Sequence, residues 1–384
     1  MINDVLIQGR AQKLDYLRFL LALCVLLVHL IPWSNRLSIP ISENILIINK
    51  LFIYVFQSSG ETNPTVLAFI VLSGYCIHRN GLRKNNFDVK SFLIKRVFRI
   101  SPIYFLAVLL GALAFLMSTK INVNIKEITS TSEISLSGIL LKLSGVCSFF
   151  PHLFAFSFQG NGPLTTVAVE FYLYLFYPFA IYFLNSIKEK YFWYGLFLIT
   201  SLGVILISIS PPLKSWWHNG SFFGFLLYWY IGAKFISRKF AEKIKRNIKS
   251  IVLAWLIITT LLTFIKLEWS VLIEFRKILF TLMIGSLIHS LDKPTLNSQD
   301  SNLLPIQKYF LKPLIESSYS LYALHTPLVV ICLAFRMDWY IIVPICLVAG
   351  WATYLLIEKP SIQCARSLIK RISQGSVRPG FNIT

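Results

Sequence analysis

Apolar residues in this chain gather into long runs separated by polar segments, and a helix needs about 20 such residues to cross a bilayer. Ten runs can be drawn as crossings, roughly at 14–32, 62–79, 101–118, 164–184, 192–210, 221–236, 251–265, 272–290, 313–335 and 339–357. Between them, two polar stretches are long enough to hold structure of their own, 34–61 and 119–163. The first contains Ile45 to Phe56, apolar but short, which reads as an interfacial or re-entrant segment. The second ends in Gln159-Gly160-Asn161-Gly162-Pro163, punctuation that stops one element and opens the next helix with proline near its first turn. Neither an internal repeat of fixed period nor an inverted pair of interrupted helices is visible.

Composition agrees with this reading. The 384 residues are 55% hydrophobic and 14% charged, with mean hydropathy +0.65, values of a multi-spanning membrane protein. The expected fold is an all-α integral membrane protein, a bundle of about ten transmembrane helices. Residues 1–372 would form one membrane domain and 373–384 a polar C-terminal tail. The formal net charge of +20 would suggest nucleic acid, but the charges map onto loops. The two densest basic clusters, Arg79 to Arg99 and Lys234 to Lys249, hold seven Lys or Arg each. Both fall on the cytoplasmic side if the N-terminus is inside, as positive-inside bias requires. An even helix count then puts both termini in the cytoplasm. The first run, with no small-residue cleavage site after it, is expected to stay as an anchor. A bacterial cytoplasmic (inner) membrane is the simplest location. The six cysteines imply no disulfide framework.

Ionisable residues inside the apolar runs carry the functional signal. Arg18 and His29 lie eleven positions apart in Leu14 to Trp33 (LDYLRFLLALCVLLVHLIPW), about 16 Å along a helix axis. Arg18 thus falls near one membrane face and His29 deep or toward the other. A charged group in the hydrocarbon layer costs roughly 2.5 to 3.5 kcal/mol on insertion scales, so keeping one points to use. Glu170, in GPLTTVAVEFYLYLFYP, lies about 10 Å below the outer start of an inward-running helix, at a depth similar to His29. The two could meet inside the bundle, His29 as a base and Glu170 as the carboxylate that fixes its tautomer. Alternatively, Glu170 satisfies a buried backbone or hydroxyl group.

Arg96 and Arg99, in KSFLIKRVFRISPIYF, are three apart and share one face of a helical turn, as a phosphate or pyrophosphate site requires. A stop-transfer cluster facing anionic headgroups has the same spacing. His325, in SLYALHTPLVV, fits either a cavity wall or a packing hydrogen bond, and His78, His152, His218 and His289 read as interfacial or loop-borne. No histidine pattern suggests a metal site, and neither a G-x-S-x-G elbow nor a P-loop is present. Ser73-Gly74 reads as a close helix contact.

With these residues in order, the chain resembles the acyltransferase 3 family of integral membrane acyltransferases. LDYLRFLLALCVLLVH is similar to the family's Arg-x10-His pattern, FIVLSGYCIHR to its Phe-x-x-Leu-Ser-Gly signature, and RVFRISPIY to its Arg-x-x-Arg motif. VEFYLYLFYP resembles the segment with its intramembrane glutamate, and SYSLYALHTP and IEKP resemble its last helices. Where the family often has Trp-Ser before the glutamate segment, this chain has Thr165-Thr166. The SGNH-type hydrolase domain of some members is not seen, so an extracytoplasmic relay would come from another protein.

The resemblance implies transfer of an acyl group, acetyl by family frequency, from cytosolic acyl-CoA to a hydroxyl of an extracytoplasmic glycan. O-antigen, capsule or other exopolysaccharide, peptidoglycan and small secreted molecules are all possible acceptors, as is a lipid-linked glycan. It implies acyl-CoA as donor with Arg96 and Arg99 near its phosphates, Arg18 in the donor path, His29 as base and Glu170 as its partner. Membrane lipid is the other expected partner, nucleic acid is not, and no metal is implied. A carrier or flippase for an anionic or lipid-linked glycan is the alternative. A lipid-linked glycosyltransferase is disfavoured because no acidic pair on an outer segment suits a divalent metal.

Overall fold

The computed structural model describes residues 2–56, 62–82, 87–122, 124–125, 134–186, 188–265, 269–292 and 310–375. Among them every regular element is helical. In chain order these are α1 (Ile2–Arg36), α2 (Glu43–Phe56), α3 (Pro64–Leu82), α4 (Val89–Ile121), α5 (Leu136–Ser144), α6 (Pro151–Phe156), α7 (Leu164–Ser186), α8 (Glu189–Ile209) and α9 (Leu213–Asn219). Then follow α10 (Phe222–Lys234), α11 (Arg238–Arg246), α12 (Ile248–Phe264), α13 (Ser270–Leu291), α14 (Lys312–Glu316), α15 (Ser318–Ala334), α16 (Trp339–Thr353) and α17 (Lys359–Gly375). A single π-helical turn, Tyr354–Glu358, joins the last two.

Each of the ten apolar runs falls on helix, but length and hydropathy alone qualify fewer as crossings. Five segments pass: Lys13–Arg36, Val89–Ile121, Leu164–Leu184, Glu189–Ile209 and Trp339–Gln374. A sixth is added if α11 and α12, bent by 63° at their junction, form one broken span. α3 and α15 are apolar but short, and α13 carries Glu274, Arg276 and Lys277 along its length. Helix α4 starts at Val89, so Arg96 and Arg99 sit within a helix longer than the drawn run 101–118. The last helix continues to Gly375, into the stretch expected as a polar tail, and 376–384 lie outside the described residues.

The core is built around α15, which packs on α1, α4 and α16, and around the crossing of α3 with α10. That crossing depends on two glycines. A Cβ at Gly74 would lie 1.9 Å from the Trp229 carbonyl oxygen, and one at Gly232 would lie 2.1 Å from that of Val71. Each helix therefore presents a bare α-carbon to the other's backbone, as small residues allow in membrane helices. Gly74 has the packing role its sequence context suggested.

A buried polar cluster braces another part of the bundle. The Glu274 carboxylate accepts from Trp217 Nε1 at 2.9 Å, from Lys277 Nζ at 3.3 Å and from the Tyr228 hydroxyl. Lys277 Nζ also lies 3.2 Å from His218 Nδ1. His218 is fully buried, which corrects its reading as interfacial or loop-borne: the short helix α9 folds inward beside α8 and α10. Burial holds the His218 imidazole well below its usual range, and its Nδ1 also lies 3.4 Å from Glu274 Oε1.

Candidate functional site

Four of the five residues singled out from the sequence line one cavity. Its empty space, part of it open to solvent, is about 810 Å³, and Arg18, Arg96, Arg99 and Glu170 all contribute to its wall. Helix α1 supplies Arg18, whose Nη1 donates to Asp15 Oδ1 one turn earlier at 2.5 Å. Helix α4 supplies both other arginines, because a spacing of three turns them to one side. The Arg96 guanidinium lies over the Tyr174 ring at 4.9 Å and near Phe92 at 5.5 Å. Its buried Nε has no hydrogen-bond partner among the described residues. Arg99 Nε lies 4.0 Å from Glu358 Oε1 in the π-helical turn, and the other oxygen of that carboxylate accepts from Ser320 Oγ at 2.6 Å.

Helix α7 is positioned by the loop before it. Asn161 Nδ2 donates to the Ala107 carbonyl on α4 at 3.1 Å and to the Ala323 carbonyl on α15 at 3.3 Å. Glu170 then faces the cavity, and its carboxylate accepts from the Tyr174 hydroxyl one turn on. That hydroxyl accepts in turn from Ser73 Oγ at 3.1 Å. Glu170 is thus joined to the arginine-lined wall, and no hydrogen bond links it to His29.

The partner of His29 is another histidine. His29 Nδ1 lies 2.9 Å from the Val25 carbonyl and 3.3 Å from His325 Nε2, with the rings tilted and their centroids 5.3 Å apart. A carbonyl oxygen only accepts, so His29 Nδ1 carries the proton, and in the neutral ring Nε2 holds a lone pair. That Nε2 has no hydrogen-bond partner among the described residues. His325 is fully buried, with Nδ1 2.6 Å from the Tyr322 carbonyl. The expected meeting of His29 with Glu170 gives way because Tyr174, on the same helix, captures the carboxylate, while α15 packs directly on α1.

Tyr322 stands between the two groups. Its hydroxyl lies 2.6 Å from Thr166 Oγ1 and donates to the Pro163 carbonyl at 3.1 Å, and its ring meets Phe69 edge-on at 5.4 Å. Phe69, Thr166 and Tyr322 all line the arginine cavity, whereas His29 and His325 do not. Among the described residues no group of three or more His, Cys, Asp or Glu could hold a metal ion.

A model of the acyltransferase domain of the acyltransferase 3 family matches residues 12–357, nearly the whole chain. The chain belongs to the acyltransferase 3 family. No curated protein and no solved structure matches it. This acyltransferase is therefore a multi-pass membrane protein, all-helical among its described residues, and the cavity with its neighbouring histidine pair draws on five of its motif segments.

Sequence reading left His325 between a cavity wall and a packing hydrogen bond, and gave Tyr322 and Glu358 of this acyltransferase no role. His325 and Tyr322 share a face of α15 at a spacing of three, a signal present in SLYALH. Glu358 is the acidic residue of IEKP, and only the fold reveals that it reaches Arg99.

Proposed function

We propose that the protein transfers an acyl group, most simply acetyl, from cytosolic acyl-CoA to a hydroxyl of an extracytoplasmic glycan, free or lipid-linked. The observation that carries this reading is one cavity walled by three arginines, with a histidine pair joined to its wall through Tyr322. Arg96 and Arg99 suit the phosphates of the coenzyme: a guanidinium bonds phosphate through paired donors, and the unpartnered Arg96 Nε supplies one of them. Arg18 lines the same cavity, and its proposed role is to flank the path of the pantetheine arm. His29 Nε2 takes the proton from the attacking hydroxyl and returns it to the leaving sulfur. Glu170 balances the arginines at the donor end. A donor held in the cavity and an acceptor held at the adjoining His29 would make the encounter effectively unimolecular. The reading sets the arginines at a cytoplasmic mouth and the histidines toward the outer side, in a ten-helix bundle of a bacterial inner membrane.

Membranes given radiolabelled acetyl-CoA test this. Label should pass to glycan with the native protein, and His29→Gln should nearly abolish transfer while protein accumulates in the membrane to the native level. Movement of glycan across the membrane with no label transfer would overturn the reading in favour of a carrier. A His29→Gln protein that fails to accumulate would assign the imidazole to folding.

A further inference from the structure

We infer that His29 works as half of a two-imidazole relay, with His325 as the positioning residue that accepts its second proton. The inference rests on the reading of His29 as the base.

Hydrogen-bond roles around the pair leave one arrangement. The Tyr322 carbonyl can only accept, so His325 Nδ1 carries a proton and donates it at 2.6 Å. His325 Nε2 is then a lone pair in the neutral ring, and it points at His29 Nδ1 from 3.3 Å. Thr326 Oγ1, also at 3.3 Å, can donate to the same nitrogen. The proton on His29 Nδ1 thus has two acceptors, Val25 O and His325 Nε2, and one of them is basic.

This is the geometry of a base oriented by an acceptor behind it, with imidazole where a carboxylate often stands. A neutral acceptor suits the surroundings. The groups facing the pair are Trp33 from α1, whose ring is 5.4 Å from that of His29, and Tyr322 and Thr326 from α15. None of these carries a charge at neutral pH, and Glu170 and Arg18 line the cavity that the histidines do not. A resting pair with no net charge avoids burying an unpaired ion.

The proton count closes over one turnover. The acceptor O–H bond breaks as oxygen attacks the thioester carbonyl, and its proton goes to His29 Nε2. His29 passes its Nδ1 proton to His325 Nε2, leaving the positive charge on His325, where Tyr322 O accepts from Nδ1. As the carbon–sulfur bond breaks, His29 Nε2 gives its proton to the thiolate, and His325 returns its own to His29 Nδ1. Ester and thiol leave, and both rings are neutral again.

His325→Gln separates holding from relaying, because the amide oxygen of glutamine can accept from His29 Nδ1 but cannot take a proton. Single-turnover acetyl transfer would be followed in membranes that carry the full chain and lipid-linked glycan, with radiolabelled acetyl-CoA. The transfer rate should fall on the order of 10²-fold, with the KM for acetyl-CoA unchanged. In H₂O/D₂O mixtures the native rate should follow the curved dependence of two protons moving together, and His325→Gln a straight line. An unchanged rate in His325→Gln, or a straight line for both proteins, would overturn the relay and leave His325 a packing residue. A His325→Gln protein that does not accumulate at the native level would do the same. Transfer that survives in His29→Ala would instead sink the reading of His29 as base.

Discussion

At the scale of single residues, the arginines make the most direct prediction. On the proposed function Arg96 and Arg99 hold the phosphates of the donor, so with Arg96→Ala or Arg99→Ala the KM for acyl-CoA should rise well above its native value while the KM for the acceptor barely moves. Steady-state kinetics with each substrate varied in turn would show this, and equal effects on both would place the arginines elsewhere in the reaction. Lys142 makes a second prediction, about stability. It is fully buried in α5, where Nζ donates to Thr165 Oγ1 at 2.5 Å, and burial pushes its ammonium down from 10.5 to about 8. A folded-state value below the unfolded one means that the unfolded chain binds the extra proton between those limits, so stability rises as pH climbs from about 8 to 10.5. Lys142→Met should therefore raise Tm at pH 7 and flatten the rise of Tm above pH 8. A native Tm that does not change across that window would mean that Lys142 has a counter-charge in the folded protein.

At the scale of helices, the crossing of α3 and α10 is the contact least able to yield, because backbone meets backbone on both sides. Gly74→Val has to push α10 away and should cost several kcal/mol, as forced overpacking does, read as a large fall in Tm or in membrane yield. Gly195→Val is the control, since a Cβ there meets nothing within 4 Å. Comparable losses in the two variants would assign the effect to helix propensity. How much was legible in the sequence follows from the same geometry. Apolar runs marked where helices form, and a spacing of three put Arg96 and Arg99 on one wall, because both depend only on local periodicity. The partners of His29 and Glu170 were not legible. Depth along a helix follows from residue count, but rotation about its axis depends on which neighbour it packs against. The Glu274 cluster was missed for a related reason: three charges inside one apolar run are tolerable only when α9 and α10 fold over them.

For the whole molecule, the open quantity is how many helices cross. Five segments suffice by length and hydropathy, ten helices carry the apolar runs, and the difference rests first on short, apolar α3. Its tight packing on α10 and its share of the arginine cavity place it inside the bundle with α1 and α4. Two exposed positions convert this into a parity test. With the N-terminus inside, Ser137 on α5 follows α1, α3 and α4, so it lies outside if α3 crosses and inside if only α1 and α4 do. Cys364 is the exposed cysteine on α17. It lies inside after an even number of crossings and outside after five. The remaining cysteines are buried or half-buried. A membrane-impermeant maleimide should therefore label Cys364 in inverted vesicles and not in intact spheroplasts, and a Ser137→Cys variant lacking Cys364 should give the opposite pattern. Both positions labelled from the inner side would mean that α3 does not cross. The chain would then take the six-crossing count, and the arginines of α4 would no longer face the cytosolic donor of the proposed function.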